Sequence, residues 1–105
     1  MTTLARDREV LGRLCDRLRS MSDTSLTRSR EGLDGRSVAA AVHDLCSWAV
    51  HQQGMTAPVP VLHPLASGDQ LAVIGGEFLD WVELAGDPSA LSQWRGRVDL
   101  IRQAA

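Results

Sequence analysis

The sequence has no lysine, no tyrosine, only two cysteines and no apolar run that approaches the length of a membrane-spanning helix. Two cysteines are too few for a disulfide framework, so we expect both thiols to be reduced and buried. The polar residues after Met1 and the missing apolar run argue against a signal peptide and a transmembrane helix. These absences predict a cytoplasmic protein that makes no membrane contact.

The charge balance argues against strong electrostatic recruitment of a partner. Eleven basic residues, all arginine, stand against thirteen acids and give a net charge of −2. No global field therefore attracts nucleic acid or an anionic membrane. With 105 residues and 44% apolar content, we expect one helical domain over residues 1–105 that folds without covalent staples.

Apolar residues recur at helical spacing in four stretches. The first predicted helix runs from about Thr3 to Met21, and the second runs from about Arg36 or Ser37 to Gln53. The loop between them is rich in Ser, Thr, Arg and Gly, and it allows one helical turn around Leu26. Gly54 is a plausible stop signal for the second helix.

The third and fourth predicted helices are separated by a strong junction. The third runs from Asp69 to Ala85, and the sequence Gly86-Asp87-Pro88 follows it. A C-terminal Gly, a capping Asp and a Pro in the next first turn are typical of two helices joined by a short turn. The fourth helix then continues to near the C-terminus.

Prolines at positions 58, 60 and 64 forbid a helix between the second and third predicted helices and favour an extended crossover. The sequence therefore predicts an all-α fold, a four-helix bundle with this proline-rich crossover. The alternative is an α+β fold with a short hairpin at about 59–75. It is favoured by Gly75-Gly76, because two interior glycines cost a helix about 2 kcal/mol relative to alanine.

The three tryptophans lie on the predicted core faces of three different helices. Trp48, Trp81 and Trp94 are most simply the large side chains of one hydrophobic core. The alternative is a small-molecule pocket between the helices that carry them, because pockets in bundles form between helices.

The third predicted helix is apolar on two sides, although a monomeric bundle needs one buried stripe per helix. Val73, Leu79 and Leu84 are surplus to that stripe, and Gly76 would let another backbone come close. The candidate interaction surface comprises Val73, Gly76, Glu77, Leu79, Asp80, Glu83 and Leu84. We expect a homodimer in which the acids meet arginines of the other subunit. The alternative is that the proline-rich segment folds back over this surface.

Glu77, Asp80 and Glu83 are three apart, and such carboxylates can hold a hard cation or share a proton. Helical metal sites in bundles add Glu-x-x-His pairs from neighbouring helices, which this chain lacks. The simpler interpretation is a solvated face or one that faces the arginines of the first helix. An enzyme that uses these carboxylates is therefore the least favoured function.

Other constellations are too incomplete to predict a site. A zinc site at His43 and Cys46 would need Cys15 and His63 from two other elements. A hydrolytic triad is not expected from Asp44, Ser47 and His51, because residues on one rigid helix rarely adopt that geometry. No catalytic, cofactor-binding or metal-ligating residue is predicted.

Several arginines cluster around the loop after the first helix, namely Arg17, Arg19, Arg28, Arg30 and Arg36. Acids intervene, no aromatic residue is interleaved, and no helix-turn-helix pattern follows. We therefore expect a solvated loop and no nucleic-acid partner.

The segment GDQLAVIGGEFL, residues 68–79, resembles one in small uncharacterised actinobacterial proteins, where a Gly-Asp-Gln-Leu-Ala-Val run precedes a Gly and another helical stretch. This resemblance implies no activity. Trp94-Arg95-Gly96 matches the letters of the Trp-x-Gly motif of small helical proteins exported by type VII secretion. That motif belongs at a mid-chain turn, however, and the tyrosine of the export signal is missing. The favoured function is a small cytosolic protein-interaction or accessory module.

Overall fold

The computed structural model describes residues 4–105, which form five α-helices and no β-strand. The helices are α1 (Ala5–Ser20), α2 (Asp23–Thr27), α3 (Val38–Gln52), α4 (Ser67–Ala85) and α5 (Pro88–Ala104). Single turns of 3-10 helix at Glu31–Leu33 and Pro64–Ala66 lie before α3 and α4. The all-α prediction is confirmed, and the alternative hairpin at 59–75 is wrong.

The ends of the helices are set by local signals. The Ser37 hydroxyl oxygen accepts the backbone N–H of Ala40 at 3.1 Å and caps α3. Gly86 adopts a left-handed conformation, with φ of 65°, and ends α4. Asp87 then accepts the N–H of Ala90 at 3.0 Å, with Pro88 in the first turn of α5. The predicted junction between the last two helices is therefore confirmed.

Ion pairs show how the helices run relative to each other. Arg8 near the start of α1 contacts Asp80 near the end of α4, whereas Arg19 near the end of α1 contacts Asp69 near the start of α4. Helices α1 and α4 are therefore antiparallel. Helix α4 also packs against α3, which in turn packs against α5. None of the helices in residues 4–105 is both long and apolar enough to cross a membrane.

Two glycines of α4 explain why this helix forms in spite of its glycine content. A Cβ on Gly68 would lie 2.8 Å from the carbonyl oxygen of Cys15, and a Cβ on Gly75 would lie 2.9 Å from the Trp94 ring. These residues are two helical turns apart and let α4 approach its neighbours closely. This packing offsets the helix-propensity cost of Gly75, whereas Gly76, the other glycine that favoured a hairpin, faces open space.

Residues 53–66 form a bridge from the end of α3 to the start of α4, and its residues 55–63 are not helical. The bridge is fastened at two carbonyl groups. His43 Nε2 donates to Val59 O at 3.0 Å, and Gln70 Nε2 donates to Pro60 O at 2.9 Å. Val59 packs against the core, while Val61 stays 82% exposed. The predicted non-helical crossover is confirmed for residues 55–63.

Candidate functional site

The outer face of α4 carries two of the most exposed apolar side chains in the protein. Val73 is 61% exposed and Leu84 is 90% exposed. Eleven residues separate them, which is about three helical turns, so both point to the same side. The bridge does not cover them, contrary to the alternative in which it folds back over this surface.

Leu79 does not belong to this surface. Its side chain is fully buried in the core, so its assignment to the interaction surface is wrong. The reason is that α4 packs against both α1 and α3. Two packed neighbours bury a wider arc of the helix than the single stripe assumed from the sequence.

Two of the three candidate acids on α4, Asp80 and Glu83, pair with the first helix of the same chain. Arg8 Nη2 lies 2.8 Å from an oxygen of Asp80 and 3.0 Å from an oxygen of Glu83. The hydrogen bond to Asp80 raises the pKa of Arg8 above its ordinary value. Glu77 is exposed and makes no ion pair to any residue between 4 and 105. The three acids therefore do not form the close, buried pair that proton transfer between carboxylates would need.

The three tryptophans surround one phenylalanine. The ring centroid of Phe78 lies 4.9 Å from that of Trp94, 5.3 Å from that of Trp48 and 5.8 Å from that of Trp81. Trp94 is fully buried, whereas Trp48 and Trp81 are half-buried. The predicted shared cluster is confirmed. Because Phe78 fills the space between the rings, the structure offers no support for a ligand there.

No metal centre is assembled from the candidate ligands. Within residues 4–105, no three His, Cys, Asp or Glu side chains are grouped to hold a metal ion. Cys15 and Cys46 are free and buried, as expected from the sequence. Burial raises the pKa of Cys15 to about 11 and that of Cys46 to about 12. Asp44 pairs with Arg36 at 2.7 Å, and within residues 4–105 no hydrogen bond joins it to Ser47 or His51.

Four of the five arginines around the first loop bind groups of their own chain, whereas Arg28 is exposed. Arg17 donates to the carbonyl oxygen of Ala105 at 2.8 Å, and Arg30 donates to that of Ala104 at 2.8 Å. Both bonds satisfy carbonyls at the end of α5, where helices leave acceptors unpaired. The arginines thus stabilise the fold, and the sequence carries no local signal for such long-range partners.

The bridge holds exposed apolar residues that the sequence did not single out as a surface. Besides Val61, the side chains of Met55, Leu62 and Leu65 are 43%, 46% and 52% exposed. The available signal was an apolar run between prolines, since such an extended segment can bury only some of its side chains.

No family model, no curated protein and no solved structure matches this chain.

Proposed function

We propose that the protein is a small cytoplasmic protein-interaction module that forms a homodimer through the outer face of α4. In this proposal the long helices α1, α3, α4 and α5 form a four-helix bundle around Phe78, with the bridge as its crossover. The observation that supports it best is Leu84, a large apolar side chain that is 90% exposed on a well-packed helix. Such a residue gains most from burial against a partner.

Gly76 adds a second argument for close contact on the same face. A Cβ at this position would meet nothing within 4 Å, so the space above Gly76 is open. A helix from a second copy could approach closely at this point, with Val73 and Leu84 on either side. Two-fold pairing is the commonest way in which a soluble chain covers such a surface.

The charges on α4 restrict how two copies meet. Asp80 and Glu83 are paired with Arg8, whereas Glu77 is exposed and unpaired within residues 4–105, and placing α4 directly on α4 would bring the two copies of Glu77 together. The favoured arrangement is offset, so that Glu77 meets an arginine of the second copy. Such a rim contact makes the dimer weaker at high salt.

Sedimentation equilibrium at micromolar protein tests the proposal. We expect a species of twice 11.4 kDa, which the substitution Leu84→Glu converts to a monomer. The matched control is Leu100→Glu, which places the same charge at a 54% exposed leucine of α5. This control should remain a dimer. A single 11.4 kDa species that Leu84→Glu leaves unchanged would rule the dimer out.

A further inference from the structure

A cavity of about 330 Å³ lies between the start of α3, the end of the bridge and the first turn of α4. Three segments of the chain form its walls, and none of the residues of the outer face of α4 lines it. The bridge returns the chain from the end of α3, so that Ser37 before α3 and Ser67 in α4 line the same cavity. Its volume is at the lower end of the range for small-molecule pockets, about 300–1,000 Å³.

The residues that line the cavity are basic or neutral. Arg36, His43 and His63 are among them, whereas none of the thirteen acids of the chain is. Arg36 Nη2 pairs with Asp44 at 2.7 Å, so this carboxylate offsets the arginine charge while the other N–H groups of Arg36 remain available as donors. A cavity with this lining favours an anion over a cation.

Ser67 supplies an unpartnered polar group on the cavity wall. The residue is only 7% exposed, and its hydroxyl makes no hydrogen bond to any group in the described part of the chain. The hydroxyl faces the cavity, where its capacity to donate a hydrogen bond is left for a bound molecule. An oxygen of a bound ligand would accept a hydrogen bond from the Ser67 hydroxyl.

His63 also lines the cavity, and a hydrogen bond to its ring selects one tautomer. His63 Nδ1 accepts the backbone N–H of Leu65 at 3.2 Å, so the proton of the neutral ring is on Nε2. At the start of α3, the Ser37 hydroxyl oxygen accepts a hydrogen bond from the backbone N–H of Ala40. The backbone N–H of Ala39 makes no hydrogen bond among residues 4–105. Free N–H groups and the positive end of the helix dipole both favour an anion.

We propose that this cavity binds a small organic anion, either a carboxylate or a phosphate monoester. Ser67, His63 and the N-terminus of α3 hold its charged oxygens, and Arg36 donates to it through an N–H group that Asp44 does not accept. The apolar part of the ligand lies against Val61 and Leu62 of the bridge, which also line the cavity. This site is independent of the proposed dimer, since it uses none of the residues on the outer face of α4.

Amide NMR on the full chain tests the site, with benzoate, phenyl phosphate and inorganic phosphate as probes at constant ionic strength. We expect saturating shifts of the Ala39 and Ser67 amides, with phenyl phosphate binding more tightly than inorganic phosphate because of the apolar wall. Saturation by phenyl phosphate alone would identify a phosphate monoester, and saturation by benzoate alone would identify a carboxylate. Shifts that grow linearly without saturation, or no shifts, would overturn the proposal.

Two variants distinguish binding of the anion in this cavity from its nonspecific attraction to exposed arginines. Ser67→Ala removes the free hydroxyl within a helix that tolerates alanine, and we expect it to weaken binding about tenfold. Arg36→Gln should weaken binding to a similar extent. The control is Arg28→Gln, which removes an exposed arginine that does not line the cavity. Equal binding by Ser67→Ala, Arg36→Gln and the control would contradict the assignment.

Discussion

Asp7 of α1 and Arg95 of α5 form a bidentate ion pair, in which Nε and Nη2 of Arg95 donate to the two carboxylate oxygens of Asp7, each at 2.8 Å. Asp7 is one of two buried polar residues in the described chain, at 8% exposure. The hydrogen bond to Asp7 raises the pKa of Arg95. The next residue, Arg8, contacts α4, so adjacent side chains connect the start of α1 to both helices of the final pair.

Removal of Arg95 should destabilise the protein more than removal of Arg8. Arg95→Ala leaves the Asp7 carboxylate buried without its partner, and we expect a loss of about 2–3 kcal/mol in the free energy of unfolding. Arg8→Ala breaks exposed pairs with Asp80 and Glu83 and should cost less than about 1 kcal/mol. Urea unfolding followed by circular dichroism measures both. Equal losses in the two variants would contradict the prediction.

The adjacent glycines of α4 should respond to alanine in opposite directions. Gly76→Ala enters open space and should raise the free energy of unfolding by about 0.5–1 kcal/mol, because alanine favours a helix. Gly75→Ala places a Cβ 2.9 Å from Trp94 and 3.0 Å from Leu11. Overpacking of this kind costs about 1–3 kcal/mol, which exceeds the helix gain.

The comparison is made in a Leu84→Glu background, so that self-association does not contribute to the measured stability. Urea midpoints then report the monomer alone. If both alanine variants were stabilised, the close contact of Gly75 with α1 and α5 would be wrong. If both were destabilised, the open environment of Gly76 would be wrong.

The same two glycines show what the sequence could predict and what it could not. The helix boundaries follow from local signals, such as Ser37, Gly86 and Asp87, whose partners lie within a few residues along the chain. Gly75 and Gly76 are equivalent in local terms, and only the position of α1 and α5 distinguishes them. The sequence therefore does not show which glycine of the pair lies against the neighbouring helices of the same chain.

Prediction of the candidate surface on α4 from the sequence is limited in the same way. Periodicity predicts that Val73, Leu79 and Leu84 lie outside the buried stripe; Val73 and Leu84 are exposed, whereas Leu79 is buried. Helical periodicity gives the angle between side chains but not the number of neighbours that a helix packs against. The cavity beside Ser67 was not predicted at all, because it depends on where the bridge returns to the start of α3.

Phe78 should be the most sensitive position of the aromatic cluster. Its ring is fully buried and contacts all three tryptophans, so we expect Phe78→Ala to cost about 3–5 kcal/mol. Trp81→Ala should cost less, because Trp81 is half-buried and contacts Phe78 at the longest of the three distances. Thermal and urea unfolding rank the variants. A larger loss for Trp81→Ala would place the centre of the core elsewhere.

The buried cysteines should react slowly with thiol reagents in the folded protein. The thiolate is the reactive form, and burial raises the pKa of Cys15 to about 11 and that of Cys46 to about 12. At neutral pH, modification by a maleimide should therefore follow unfolding and become fast only in denaturant. Equal rates in native buffer and in denaturant would show that both thiols are accessible.

The raised thiol pKa values also predict how stability depends on pH. In the unfolded chain both cysteines ionise near the ordinary pKa of 9.0, while in the folded chain they remain neutral until the pH approaches about 11 for Cys15 and about 12 for Cys46. Above pH 9 the folded state thus binds more protons than the unfolded state, so the free energy of unfolding falls as the pH rises through this window. Below pH 9 the contribution of the neutral thiols to stability is fully present.

Urea unfolding at increasing pH, compared with a Cys15→Ala and Cys46→Ala double variant, isolates the effect of the two thiols. The double variant should lose less stability per pH unit, and parallel losses in both proteins would attribute the alkaline instability to other groups.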